Sequence, residues 1–487
     1  MRKTILILAV MLAGAGAVRA ALPVAGALGE ERLGLWRVAV LPWRNPAVNQ
    51  WRMQSGLTTV GAGYSGRSDG YQWSLGADTY TKYRNSTLWG SAAYANGKDR
   101  DVVWCETADR DIVYPYLLAD SVGGDLSRET YTFSGGYADR KGRWAWGASL
   151  SYRATLEYRD VDPRPKNVVG CLDASAGAAF LLGKDYYAGV SLAFRKYKQS
   201  NDIDFKSEMG VDKIFHLTGM GIHYRRFAGA GLDTYYDGYR YGLTADIYPS
   251  SGRGVFVSVD MSRFSFDNIL SDFNKLPMAS ASHRAIEAEA GWLSGGERTW
   301  WGVAARADAY RRHGRENIFG DAAAGIYPQI GSNEMYADNG TGAGLRGMWG
   351  CRFGDGVRFA AMADGAWNRR VTTYIEPWRH SRINAITAAL SAGALVDLPH
   401  GWLAGADAGV SFYSPFSCGI VFTDRGADSE TAELENLELN AYERASTGRT
   451  RAGARLSAAH AIAGRYMLQL AAEMRHHDYA ITLNLIF

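Results

Sequence analysis

The chain ends Tyr479-Ala-Ile-Thr-Leu-Asn-Leu-Ile-Phe487, and the reading of that stretch decides the fold. Tyr479, Ile481, Leu483, Leu485 and Phe487 alternate with Ala480, Thr482, Asn484 and Ile486. Successive side chains of a strand point to opposite faces, so this spacing separates a large apolar face from a small or polar one. A strand set between lipid and a wet lumen needs that division.

The opposite terminus agrees. Arg2 and Lys3 precede an apolar run over 5–18, and Val18-Arg19-Ala20 forms a small-residue cleavage site. Residues 1–20 therefore read as a secretory signal peptide. The other reading, an anchoring helix, needs a longer run and fewer glycines than Gly14 and Gly16 leave. No later stretch holds the roughly 18 apolar residues of a spanning helix. The chain has 57 Gly, 28 Tyr, 15 Trp and only 12 Pro, with 21% charged residues and a mean hydropathy of −0.21. A helical membrane protein would be far more apolar, whereas a barrel averages out because half of each strand faces water. A net charge of +3 gives no argument for a nucleic-acid partner.

Alternating segments recur near 57–66, 70–82, 86–96, 128–138, 143–158, 167–182, 185–198, 238–248, 253–265, 283–293, 298–311, 341–353, 357–370, 383–397, 401–413, 446–459, 465–475 and 479–487. Short turns at 139–142, 183–185, 249–253, 294–297, 354–356 and 398–401 alternate with long polar connections at 97–127, 199–237, 266–282, 312–340, 371–382 and 414–445. Short periplasmic turns, long outer loops and an even strand number are the habits of bacterial barrels. The expected fold is all-β: a transmembrane antiparallel β-barrel of about 18 strands spanning 57–487. The phase slip at His476-His477-Asp478 reads as a tight outer turn; as a bulge it would leave 16 strands.

With this phase, inward charges gather in arcs. Asp260, Glu287, Glu289 and Asp308 form an acidic arc relieved by Arg306. Arg346, Arg352, Arg358 and Arg370 form a basic arc opposed by Asp364, and Arg449, Arg451, Arg455, Arg465 and Arg475 form another around Glu473. Opposed arcs across a bore set up a transverse field that discriminates ions; alternatively, the charges pair and hold a solvated wall together. The segment 21–56 lacks strand alternation and carries Trp36, Trp43 and Trp51 around Asn45-Pro46-Ala47. It reads as a plug, a periplasmic strap or a loose leader. The loop 97–127 carries Trp104, Tyr114 and Tyr116, and 430–443 within the acidic last long loop has helical spacing. Aromatic side chains there suit a lid, sugar stacking or packing among loops.

No catalytic residue stands out. His476-His477-Asp478 lacks a serine in motif context, and Ser282-His283 lacks a third partner. Cys105, Cys171, Cys351 and Cys418 have no metal-ligand spacing, and no cofactor motif occurs. Cys105 and Cys418 both fall in long loops, and whether they pair stays open.

The signal peptide, the Trp/Asn/Pro-rich leader, the Gly- and Tyr-rich strands and the terminal Leu483-Asn-Leu-Ile-Phe487 together resemble a family of uncharacterised outer-membrane barrel proteins from Bacteroidota. Phe215-His-Leu-Thr-Gly-Met-Gly221 and Tyr224-Arg-Arg-Phe-Ala-Gly229 are similar to that family's central loop. The resemblance implies a Gram-negative outer-membrane location, with lipid and lipopolysaccharide around the wall. It also implies Phe487 as an assembly signal read by the barrel assembly machinery. It brings no catalytic residues. Two functions follow: a pore or transporter for small hydrophilic or amphipathic solutes, or a closed scaffold that docks surface or secretion partners.

Overall fold

The structure is a computed structural model that describes residues 45–47, 57–206, 214–224, 233–271, 275–296, 298–323, 326–354, 356–423, 429–462, 466–476 and 478–487. The expected signal peptide, Trp36, Trp43, Trp51, Arg465 and His477 lie outside the described residues.

Eighteen antiparallel strands form one sheet that closes on itself. In chain order the wall is β1 (Leu57–Arg67), β2 (Gly70–Tyr83), β3 (Ser86–Val102), β5 (Gly124–Lys141), β6 (Trp144–Tyr158), β7 (Arg164–Leu182), β8 (Tyr186–Asp204), β11 (Thr234–Pro249) and β12 (Gly254–Leu270). It continues with β13 (Leu276–Gly295), β14 (Thr299–Phe319), β15 (Gln329–Phe353), β16 (Val357–Tyr374), β17 (Arg379–Leu398), β18 (Trp402–Phe422), β19 (Arg449–Ala461), β20 (Met467–Arg475) and β21 (Asp478–Ile486). Three further strands, β4 (Leu117–Ala119), β9 (Phe215–Gly219) and β10 (Ile222–His223), form a small separate sheet.

Closure joins the first strand to the last. Thr59 faces Ile486 and Gly63 faces Thr482 across β1 and β21. Thr58 and Phe487 exchange backbone hydrogen bonds of 2.7 and 2.9 Å. The period-two pattern of the C-terminus is therefore the pattern of the closing strand. Tyr479, Ile481, Leu483, Leu485 and Phe487 are the exposed face, while Asn484 and Ile486 are buried. His476 and Asp478 flank a turn between β20 and β21, so the strand number is 18 and not 16.

The outward face is apolar over a band. Val255, Val257 and Met261 on β12, Ile286 and Trp292 on β13, and Trp301 and Val303 on β14 are all exposed. Exposed large side chains so numerous are a liability in water and ordinary in lipid. The strands outrun this band at the long-loop end. β15 has 25 residues and β14 has 21, although roughly 9–11 suffice to cross a bilayer. Much of the expected loops at 266–282 and 312–340 is in fact strand. Beyond the lipid both faces of the wall are wet, so alternation fades and the sequence there looks like loop.

A charge on the lipid-facing side of the closing strand tests this orientation. Leu483→Arg should cost about 2–4 kcal/mol of folding free energy near the bilayer midplane, and Thr482→Ser almost nothing. Urea titrations of the refolded barrel in lipid vesicles would measure both.

Candidate functional site: the charged lumen

The expected lumen charges all occupy inward register positions where the structure describes them. Asp260, Glu287 and Asp308 stand directly opposite one another on β12, β13 and β14. Like charges in direct register repel one another, so such a row draws cations or water to it. Thr244 donates a hydrogen bond of 2.7 Å to Asp260. One row closer to the short-turn end, Asp246, Ser258, Glu289 and Arg306 face each other, with Ser258 donating to Asp246 at 2.6 Å. Glu287 and Asp308 are exposed even though they point into the barrel.

The basic arcs are mostly paired. Asp364 receives Arg306 at 2.7 Å and Arg346 at 3.1 Å, and Arg346 also reaches Glu289 at 3.8 Å. That network ties four neighbouring strands together. Arg358 pairs with Asp397, and Arg475 with Glu473. Arg370 grips Asp338 through two hydrogen bonds of 2.9 Å. Asp407, Arg455 and Glu473 alternate in sign across β18, β19 and β20. Arg451 is exposed on the same inward phase of β19.

At the long-loop end, the expected outer loops fold inward. The segment 103–123 enters the barrel and pairs β4 with β9. Trp104, Val113, Tyr116, Leu117, Leu118, Ala119, Phe215 and Met220 are buried there. Glu106 and Asp120 both bind Arg159, at 2.6 and 3.2 Å, with all three side chains almost fully buried. Asn167 and Asn201 on the wall donate to the Glu106 carbonyl at 2.9 and 3.2 Å. Asp120 accepts the backbone amides of Val122 and Gly123, which turns the chain back to β5.

A helix over Ser429–Ser446 caps this insert. Trp104 donates to Glu433, and Tyr114 to Glu438, both at 3.3 Å. Buried Arg379, at the start of β17, pairs with Glu435 and donates to the Met220 carbonyl at 2.7 Å. Leu434 is buried against Trp104 and Phe215. Cys105 and Cys418 are free. The aromatics of 97–127 thus pack among loops, and the residues that secure them, Arg159 and Arg379, carry no motif. The available signal was the apolar run from Val113 to Ala119 inside a supposed outer loop.

At the short-turn end the described part of the leader, Asn45-Pro46-Ala47, sits against the inner wall. Asn45 and Ala47 are fully buried, and Asn45 donates to the Ala178 carbonyl at 3.4 Å. Three inward glycines on β6, β7 and β8 make the notch. A Cβ at Gly147 would lie 2.6 Å from the Pro46 carbonyl, one at Gly177 2.2 Å from Asn45 Oδ1, and one at Gly189 2.7 Å from Asn45 Nδ2. Ala47 belongs to one buried cluster with Tyr187, Tyr248, Phe256 and Trp300.

A closed antiparallel barrel with an apolar outer band and a charged interior is a membrane-spanning β-barrel protein. Within that class, the chain belongs to the family of unknown function DUF6850, whose model matches residues 54–485. No curated protein matches the chain. Among solved structures it is similar to the ferric enterobactin receptor of Pseudomonas aeruginosa, with 8% identity, 89% of this chain and 80% of that one covered, and a TM-score of 0.41. The siderophore receptor PirA of Acinetobacter baumannii matches with 7% identity, 89% and 80% coverage, and a TM-score of 0.42. Likeness this distant says nothing of cargo.

The buried triad makes docking of the inward loop pH-dependent. Burial pushes the Glu106 carboxyl up to about 10, with Asp120 adding to the rise. Folding therefore favours its protonated form, and that contribution is full below the unfolded value near ~4.3 and fades as pH rises towards 10. Melting temperature should fall with rising pH across this window, and the slope should flatten in Glu106→Gln. Arg159→Ala, which leaves the buried Asp120 carboxylate without its cation, should cost about 3–5 kcal/mol at neutral pH.

Proposed function

We propose that the protein is an outer-membrane transporter for small hydrophilic solutes, gated by its own loops at the outer end and by residues 21–56 at the periplasmic end. The observation that carries this reading is the exposure of Glu287 and Asp308 inside the wall. Side chains that point inward and still meet solvent need a water-filled space. The field between this row and the arginines of β19 orients polar solutes and favours one ion sign. The apolar band, the signal-like pattern of residues 1–20 and the turn asymmetry support an outer-membrane placement with the short turns periplasmic. Outer-leaflet lipid and lipopolysaccharide then surround the wall, and Phe487 addresses the assembly machinery.

The leader acts as the plug on this reading. Asn45-Pro46-Ala47 is its anchor, and Trp36, Trp43 and Trp51 flank that anchor in sequence. The tightly packed insert at the outer end favours a second reading, a non-conducting scaffold that presents loops to surface partners.

Planar-bilayer recordings separate the two. The native barrel should conduct in brief openings. Gly177→Leu, which fills the notch, should raise the open fraction severalfold, because van der Waals overlap of this size expels the anchor. Silence in both forms, with refolding verified, would leave the scaffold. Neutralising Arg451 and Arg455 together should shift selectivity towards cations, and unchanged selectivity would remove these side chains from the conducting path.

A further inference from the structure

The outer surface carries a feature that neither transport nor wall stability uses. Arg263 on β12 faces Arg284 on β13, and Arg284 faces Arg311 on β14. All three are exposed and lie on the outward phase. Arg311 donates to Asn339 at 3.2 Å, and no described carboxylate forms an ion pair with any of the three. Three like charges in direct cross-strand register repel one another, so the row is a cost to the sheet unless an anion lies across it.

Its height is informative. Below it the outward residues are apolar: Val257 and Met261 on β12, Ile286 on β13, Val303 on β14. Above it they are polar: Ser265, Ser282 and His313. From Trp301 to Arg311 the strand climbs roughly 33 Å along its axis, or about 25 Å along the membrane normal at the usual tilt. The row therefore marks the upper edge of the apolar band, where head groups begin. A polar cavity of about 390 Å³ opens at this place, lined in part by Arg263, Arg284, Arg315 and His313. Its carboxylates are largely engaged: Asp237 pairs with Lys196, and Glu334 with His313. Asp267 lies four residues beyond Arg263, roughly 13 Å further from the band.

We propose that Arg263, Arg284 and Arg311 form a binding site for the phosphorylated head group of an outer-leaflet lipid. Guanidinium forks match phosphate oxygens in pairs, and adjacent strands ≈ 4.8 Å apart bring three of these long side chains within reach of one phosphorylated head group. The acyl chains would lie along the apolar outward residues below. The site rests on the outer-membrane placement proposed above.

The test uses the full mature chain, refolded in neutral detergent, with diphosphorylated lipid A and the same lipid stripped of its phosphates. Mass spectrometry reads the lipid retained per barrel. The native barrel should retain the phosphorylated lipid at least about tenfold better, Arg263→Ser with Arg284→Ser should lose that preference, and the paired lysine variant should keep part of it. Arg311→Ser alone, at the end of the row, gives a milder variant, and heat-dependent gel mobility verifies folding in each. Equal retention of both lipids, or an unchanged preference in the serine variants, overturns the site. So does displacement by millimolar inorganic phosphate, since the row would then read a free anion. Insertion of the same preparations into a bilayer tests the membrane placement separately: a barrel that inserts without the preference loses only the site.

Discussion

Everything in this molecule depends on the pairing of β1 with β21. In a bilayer interior an unpaired backbone N–H or C=O costs several kcal/mol, and a sheet with two edges has many of them. The bonds between Thr58 and Phe487 and the ladder beside them remove both edges at once. The constraint extends beyond closure. A shift of one residue anywhere in the wall turns every side chain of that strand to the other face. Burial of Asn484 beside exposed Leu483 and Leu485 is therefore a statement about the register of the whole barrel.

Closure of the wall leaves an interior to be managed, and the chain does so in three layers. Near the short-turn end the inward residues are aromatic and buried, with Tyr187 and Tyr248 stacked at 5.8 Å. At mid-height they are charged, and the arginines of β14 and β15 share Asp364. At the long-loop end they meet the inserted loops, where buried Arg159 binds Glu106 and Asp120 of the insert and buried Arg379 binds Glu435 of the capping helix. Buried ion pairs contribute little net stability but specify partners closely. They suit loops that must find one seat among many polar neighbours.

The barrel and its strand number were legible because lipid imposes a strict rule on alternate residues. Alternation is loudest at 479–487, 253–265 and 143–158, where one face meets lipid and the other water. The same rule is silent above the membrane, so the extra length of β14 and β15 read as loop. The inward fold of 103–123 was hidden for a related reason. A loop that packs inside a barrel and one that packs on top of it need the same aromatic and aliphatic side chains. Only tertiary contacts such as Asn167 to the Glu106 carbonyl separate the two. The three-glycine notch was invisible because Gly147, Gly177 and Gly189 sit among 57 glycines, and only their coincidence on adjacent strands gives them meaning.

That notch also sets an order of events. Asn45-Pro46-Ala47 precedes the entire wall in the chain, yet its seat is shared by β6, β7 and β8 and does not exist until those strands have paired. The segment that leaves the ribosome early is thus among those that settle late. Until those strands have paired Asn45-Pro46-Ala47 has no seat, and its arrival in the notch marks them as joined.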